Sequence, residues 1–321
     1  MVIDIFTHIV PTRYVAALEK ASAAGKLPRY TSDTLWEARV VGMSDVEARI
    51  KVKSEYADIK EVISLTGPFL ETMAGPEHSP ELAMIANDEV AEVIAKHPEI
   101  FIAGVAILPL NNIEASLQEI DRAIKDLKLR GIEIGTDVDG KPLDLPEFMP
   151  IWERMAQYNM PIFLHPSKNY LVPDYPGEGE SKYRLFQAVG WPHSTTMAML
   201  RLVYGGVLEK YPELKFVTHH AGGTIPYLAK RIEGGDRAIM PKPIIEYLKL
   251  FYNDTAVRGS TANLMCAHTF FGADHLAFAT DFPFGLKHIG ATLRSVEEMN
   301  IPEGEKDMIL EGNARKILGL D

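Results

Sequence analysis

FIAGVAILPLNNIEASLQEIDRAIKDLKLRGIEIG, residues Phe101–Gly135, is the stretch from which the fold is read. It opens on an apolar run of strand length, Phe101–Leu108, passes through an amphipathic segment, Ile113–Leu127, and returns to a second apolar run, Gly131–Gly135. Near-continuous Val, Ile, Leu and Phe mark strands that are covered on both faces, and the helix-period segment between them supplies cover. The unit therefore reads as strand, helix and parallel strand.

The same alternation extends in both directions. Strand-length runs at Val2–Phe6, Glu61–Leu65, Met160–His165, Leu214–His219, Leu248–Asn253 and Leu276–Thr280 bring the number to eight. Amphipathic segments at Ser79–His97, Ser194–Tyr211 and Pro226–Arg237, and a helix around Ser44–Lys60, lie between them. Ser79-Pro80-Glu81 is a helix start, a capping serine followed by proline at the first helical position. Eight such units predict an α/β fold of the (β/α)8, TIM-like barrel kind, although an open doubly wound sheet gives a similar pattern. With no repeat, low-complexity tract or linker, residues 1–321 read as a single domain. Two long irregular stretches, Gly25–Gly42 and Pro166–Pro192, follow the first and fifth strands, on the face where barrels build their sites.

A formal net charge of −11 argues against a nucleic-acid binder, because no excess of Lys or Arg exists to neutralise phosphates. One cysteine, Cys266, excludes an intramolecular disulfide and a thiolate metal cluster and suits a reducing cytoplasm. The N-terminus has no basic segment leading into an apolar run, and no apolar stretch reaches membrane-spanning length, so the expectation is a soluble, unprocessed protein that engages no membrane.

His8, His165, His219 and His220 stand at or just beyond strand ends, and Asp281 does so after the eighth run, in AFATDFPFG. In a barrel those ends converge, and imidazole with carboxylate is the donor set of a divalent ion with an open position. Each residue alone has an ordinary reading: a hydrogen-bonded strand-end histidine, or a helix N-cap for Asp281. Four strands offering such groups together favour a shared site. Adjacent side chains of a strand diverge, so one of His219 and His220 points into the mouth. His193, in GWPHSTT, begins a helix and is intermediate.

These residues carry a family likeness. The chain resembles the amidohydrolase superfamily, in the group of aminocarboxymuconate semialdehyde decarboxylase and γ-resorcylate decarboxylase. The likeness covers nearly the whole length and is most specific in Gly131–Pro166, in GGVLEKYPELKFVTHHAGGTIPYLAKRIE (Gly205–Glu233) and in FGADHLAFATDFPFG (Phe271–Gly285). It implies a distorted barrel of amidohydrolase type with one divalent metal, Zn2+ or Mn2+, at the mouth. By position His8, His165 and Asp281 match metal ligands, and His220, before Ala-Gly-Gly, matches the catalytic histidine. His219 falls where related chains have a residue that is not a ligand. Phe6 is the departure: related chains have His there, within H-x-H, or Glu in the resorcylate branch. Phenylalanine donates no lone pair. If it merely deletes a ligand, Phe6→His raises metal affinity; unchanged affinity would mean a rearranged site.

The implied reaction is non-oxidative decarboxylation of an aromatic or unsaturated carboxylic acid, a carbon–carbon lyase activity. His220 and Asp281 would handle the proton. Arg49 is a partner for the substrate carboxylate or a solvated helix residue, and Trp191 walls the pocket or packs below it. Hydrolysis or hydration of a ring-cleavage product, and a metal-free barrel that only binds, are the alternatives. The resemblance also implies a homodimer.

Overall fold

The computed structural model describes residues 1–27, 36–234 and 240–320. Of the irregular Gly25–Gly42 stretch, residues 28–35 lie outside the described residues.

The strands are β1 (Val2–Ile9), β2 (Ile59–Leu65), β3 (Phe101–Gly104), β4 (Ala106–Ile107), β5 (Ile132–Gly135), β6 (Pro161–His165), β7 (Lys215–Thr218), β8 (Tyr252–Asp254) and β9 (Leu276–Ala277). All neighbouring pairs are parallel, in the orders β1-β2-β3 and β4 through β9. β3 and β4 are one strand of the sequence reading, split where the chain changes partner: Val105 N donates to Ile63 O on β2, and Ala106 N to Gly131 O beside β5. The other join closes between β1 and the chain after β9. There Ile5 N donates to Phe278 O at 2.9 Å, and the Asp4 carboxylate accepts from Thr280 N at 3.0 Å and Thr280 Oγ1 at 2.5 Å. Closure decides for a barrel over an open sheet.

Alternation within each strand sorts the core into two layers. Ile132 and Ile134 of β5, Ile162 and Leu164 of β6 and Phe216 of β7 pack outward among Trp152, Met155, Leu202 and their neighbours from the covering helices. Phe163 of β6, Val217 of β7, Tyr252 of β8 and Phe6 of β1 cluster together inside the ring. Two residues beyond Phe163 and Val217 stand His165, the last of β6, and His219, the first after β7, so the direction that buries Phe163 and Val217 carries both imidazoles to the mouth.

Several boundaries differ from the sequence reading. The expected strand Leu248–Asn253 begins only at Tyr252, because Ile244–Leu248 is a helix; a short apolar run does not discriminate the two by period. The helix read over Ser44–Lys60 is confined to Val46–Val52, where the Asp45 carboxylate accepts from Ala48 N. The segment read over Ser194–Tyr211 starts at Trp191 and ends at Tyr204, and Gly206, with φ of 76°, separates it from Val207–Lys210. The helix read over Pro226–Arg237 runs Ile225–Glu233; residues 235–239 lie outside the described residues. No described helix is long and apolar enough to cross a membrane.

Behind β1 a charged cluster replaces apolar packing. Arg49, 1 % exposed, gives its guanidinium to the Glu61 carboxylate on β2, to Thr7 Oγ1 at 2.9 Å, and to the carbonyls of His8 at 2.6 Å and Gly42 at 3.1 Å. Lys53 Nζ approaches the other Glu61 oxygen at 2.6 Å. Truncating one member of a buried, hydrogen-bonded charge pair is costly because the other stays buried. Arg49→Ala is expected to lower the free energy of urea unfolding by about 3–5 kcal/mol, whereas a loss below about 1 kcal/mol would mean that the cluster relaxes as a surface pair does.

Candidate metal centre at the barrel mouth

Four strand ends meet at the mouth. The ligand atoms of His8, His165 and His219 lie within 4.8 Å of one another, and so do those of His219, His220 and Asp281. Asp281 Oδ1 stands 3.2 Å from His8 Nε2 and 3.3 Å from His219 Nε2. His8, His165, His220 and Asp281 are therefore brought together as the sequence placed them along the chain. His219 belongs to the same cluster.

Each of the three deeper imidazoles has its Nδ1 committed elsewhere. His165 Nδ1 lies 2.9 Å from Pro166 O, and a carbonyl only accepts, so the proton sits on Nδ1. Ser64 Oγ donates to Thr7 O, which leaves its lone pair to accept from His8 Nδ1, both at 3.3 Å. His219 Nδ1 donates to the Asp254 carboxylate. This is how metal-binding histidines are oriented in general, with one nitrogen anchored and the other free for an ion. His8 Nε2 is buried without a hydrogen bond, at an angle to Asp281 that makes none. An orphaned, buried imidazole lone pair beside a carboxylate is costly unless something else uses it. The donor set fits a divalent ion on these observations.

The fields inside the cluster are strongly graded. Burial holds His8 and His165 below the usual imidazole range, and His165 the further of the two because His8 and His219 add repulsion. Burial works in the same direction on His219, but Asp254 and Asp281 overcome it and raise it to about 10. Asp281 is held well below the usual carboxylate range: burial opposes this, and the contact with protonated His219 prevails. His220 is pushed down to about 4 by burial and by its neighbour His219. At pH 7 the adjacent histidines thus differ in charge, His219 protonated and His220 neutral.

His220 occupies the outer part of the mouth. Its ring stacks on His219 at 4.1 Å and on Trp191 at 5.9 Å with 9° between the planes, and its Nδ1 has no partner. Trp191 is itself fixed by Nε1 donating to Lys168 O at 2.8 Å and lies 6.4 Å from His165. It walls the mouth. His193, two residues on, is exposed.

Arg49 requires a correction. It neither lines the mouth nor meets solvent; its donors serve Glu61, Thr7, His8 O and Gly42 O behind β1, which leaves no fork for a substrate carboxylate. Two other residues were missed. Asp254, at the end of β8, was legible as a carboxylate closing a strand. Glu133 lies on the inward row of β5, in register with Phe163 of β6, where burial pushes its carboxyl up to about 8, so it stands neutral at pH 7.

Asp254 and Asp281 together keep the proton on His219, so the pair can be separated by mutation. In chelator-treated protein the His219 imidazole is expected to hold its proton until about pH 10, and Asp254→Asn to bring that titration down towards the ordinary imidazole range. Histidine-resolved NMR titration reads both, and an unmoved His219 curve in Asp254→Asn would show that Asp254 does not set its charge.

Comparison with known proteins shows the family. The family model for amidohydrolases matches residues 53–320. The chain is 31% identical to the 2-amino-3-carboxymuconate-6-semialdehyde decarboxylase of Dictyostelium discoideum, over 99% of this chain and 92% of that one. It is 29% identical to the gamma-resorcylate decarboxylase of Polaromonas sp., over 91% and 93%. Among solved structures, the dihydroxybenzoic acid decarboxylase of Polaromonas sp. JS666, with bound manganese and the inhibitor 2-nitroresorcinol, aligns with a TM-score of 0.79 at 25% identity, over 99% of this chain and 97% of that one. A match to the family model across most of the length, with an inward cluster of histidines and aspartate at the mouth of a closed parallel barrel, means that the chain belongs to the amidohydrolase family.

Proposed function

We propose that this protein is a metal-dependent, non-oxidative decarboxylase of an aromatic or unsaturated carboxylic acid, with residues 1–321 acting as one domain. The observation that carries the reading is the convergence at the mouth of His8 and His165 with His219, and of His220 and Asp281 with the same His219, in a chain whose relatives are named as decarboxylases. His8, His165 and Asp281 would hold the divalent ion. Zinc suits their nitrogen and oxygen donors, and manganese is the ion bound in the Polaromonas structure.

When bound, the ion supplies Lewis-acid stabilisation for the carboxylate and a neighbouring oxygen of the acid. The chain's own groups account for the rest. The carbon–carbon bond breaks, its electron pair stays on the substrate, CO2 leaves, and that carbon takes a proton. His220 stands where such a proton can be carried. It is neutral at rest, its Nδ1 is unengaged, and Trp191 fixes its plane. It would collect a proton from water at the mouth and pass it to the substrate. Trp191 also offers a flat face against which an unsaturated acid can lie.

A homodimer is part of this reading, supported by apolar side chains that the loop after β6 leaves exposed, among them Leu171, Tyr175 and Tyr183. The lone cysteine, exposed and unpaired, is compatible with a cytoplasmic setting.

The test is product analysis. Metal-loaded protein incubated with gamma-resorcylate and with 2-amino-3-carboxymuconate-6-semialdehyde is expected to release CO2 from at least one, with kcat falling about 10²–10⁴-fold in His220→Ala. Water addition or ring opening without CO2 would replace decarboxylation by hydration or hydrolysis in the same mouth.

A further inference from the structure

We infer that His219 supplies the metal ligand that Phe6 withholds, so that the fourth protein donor comes from the end of β7 instead of from β1. The inference rests on the metal-dependent reading above and deepens it.

The packing shows why this is an exchange. Phe6 is fully buried at the centre of the histidine cluster, with ring centroids 5.4 Å from His8, 6.0 Å from His165 and 4.3 Å from His219. Phe163 meets it edge-on at 5.2 Å, and the two phenyl rings form an apolar floor. No oxygen or nitrogen reaches the cluster from position 6. The His219 imidazole lies directly against that phenyl ring. An imidazole at position 6 would have to share that space with the one already at 219.

His219 also has the attributes of a ligand by itself. It is the member common to both groups of converging donor atoms. Its Nδ1 is anchored on a buried carboxylate, and its Nε2 faces Asp281 Oδ1, as His8 Nε2 does. Asp254 supplies the outer carboxylate of a carboxylate–histidine–metal arrangement. Two features of the mouth fix this ring in place: the Asp254 anchor, and the left-handed turn at His220 and Ala221 that follows. With His219 counted, His8, His165, His219 and Asp281 restore the donor number that an H-x-H strand would have given with His165 and Asp281.

Chelator competition with Zn2+ and with Mn2+ tests the exchange on wild-type protein, His219→Ala, Phe6→His and the double variant. The exchange predicts that His219→Ala weakens binding about a hundredfold, that Phe6→His alone changes it by less than about threefold, and that Phe6→His restores at least about tenfold in the His219→Ala background. A readout in the unmutated protein guards against misfolded variants: adding Zn2+ displaces the His219 Nε2 proton to solvent, and in long-range proton–nitrogen spectra Nε2 shifts to a coordinated value while Nδ1 keeps its proton. Wild-type and His219→Ala proteins of equal affinity, with binding abolished in His165→Ala, would overturn the exchange and leave the metal reading standing. An unshifted His219 in Zn2+-bound protein would do the same. Wild-type protein that binds neither ion after reconstitution would overturn both.

Discussion

Asp254 is the constraint on which the mouth depends. It is fully buried, and its two oxygens hold three donors: His219 Nδ1, Ala221 N at 3.1 Å and Ala256 N at 3.0 Å. One carboxylate therefore ties the end of β7 to the end of β8 and sets the turn that follows β7. That turn is strained, with His220 and Ala221 at φ of 59° and 55°. Non-glycine residues occupy the left-handed region at a cost, which the surrounding bonds must offset. Gly223 completes the arrangement by close approach, since a Cβ there would stand 2.5 Å from Pro192 O. Because that contact is so close, the helix carrying Trp191 lies against the turn carrying His220, and the two rings stack.

The opposite wall is held by a cation. His8 N donates to Phe282 O at 2.7 Å and its carbonyl accepts from Arg49, so both backbone groups of this residue are spoken for before its side chain acts. Arg49 brings a positive charge next to a group that would face a divalent ion, a repulsive placement if uncompensated. Glu61 removes most of that penalty by taking the guanidinium directly. The buried cluster thus serves the site through geometry, with the Arg49 guanidinium paired directly to Glu61.

Much of this was legible in the sequence because it follows from the period of a strand. Phe163 and His165, or Val217 and His219, are two residues apart, so burying one inside the ring sends the other to its rim. The adjacent pair His219 and His220 was read less well. The rule that neighbouring side chains diverge holds within a strand, but β7 ends at Thr218 and the chain then curls left-handed, which leaves the two rings stacked 4.1 Å apart. Arg49 was misplaced for a different reason. Its position on a short helix says nothing about a tertiary partner twelve residues downstream on β2, and only the packed structure reveals that its fork is filled.

Phe6 takes on a different meaning in this setting. A lost ligand in a pocket open to water would leave a polar gap; here the position is filled by an aromatic ring in contact with three imidazoles and a second phenyl ring. Such a floor keeps water from the cluster from below, and a dry surrounding strengthens every electrostatic contact above it. The strand ends of a barrel converge so closely that a donor withdrawn from one can be replaced from another without moving the rest. What the exchange requires is a carboxylate in the right place to orient the incoming imidazole, and Asp254 on the neighbouring strand occupies that place.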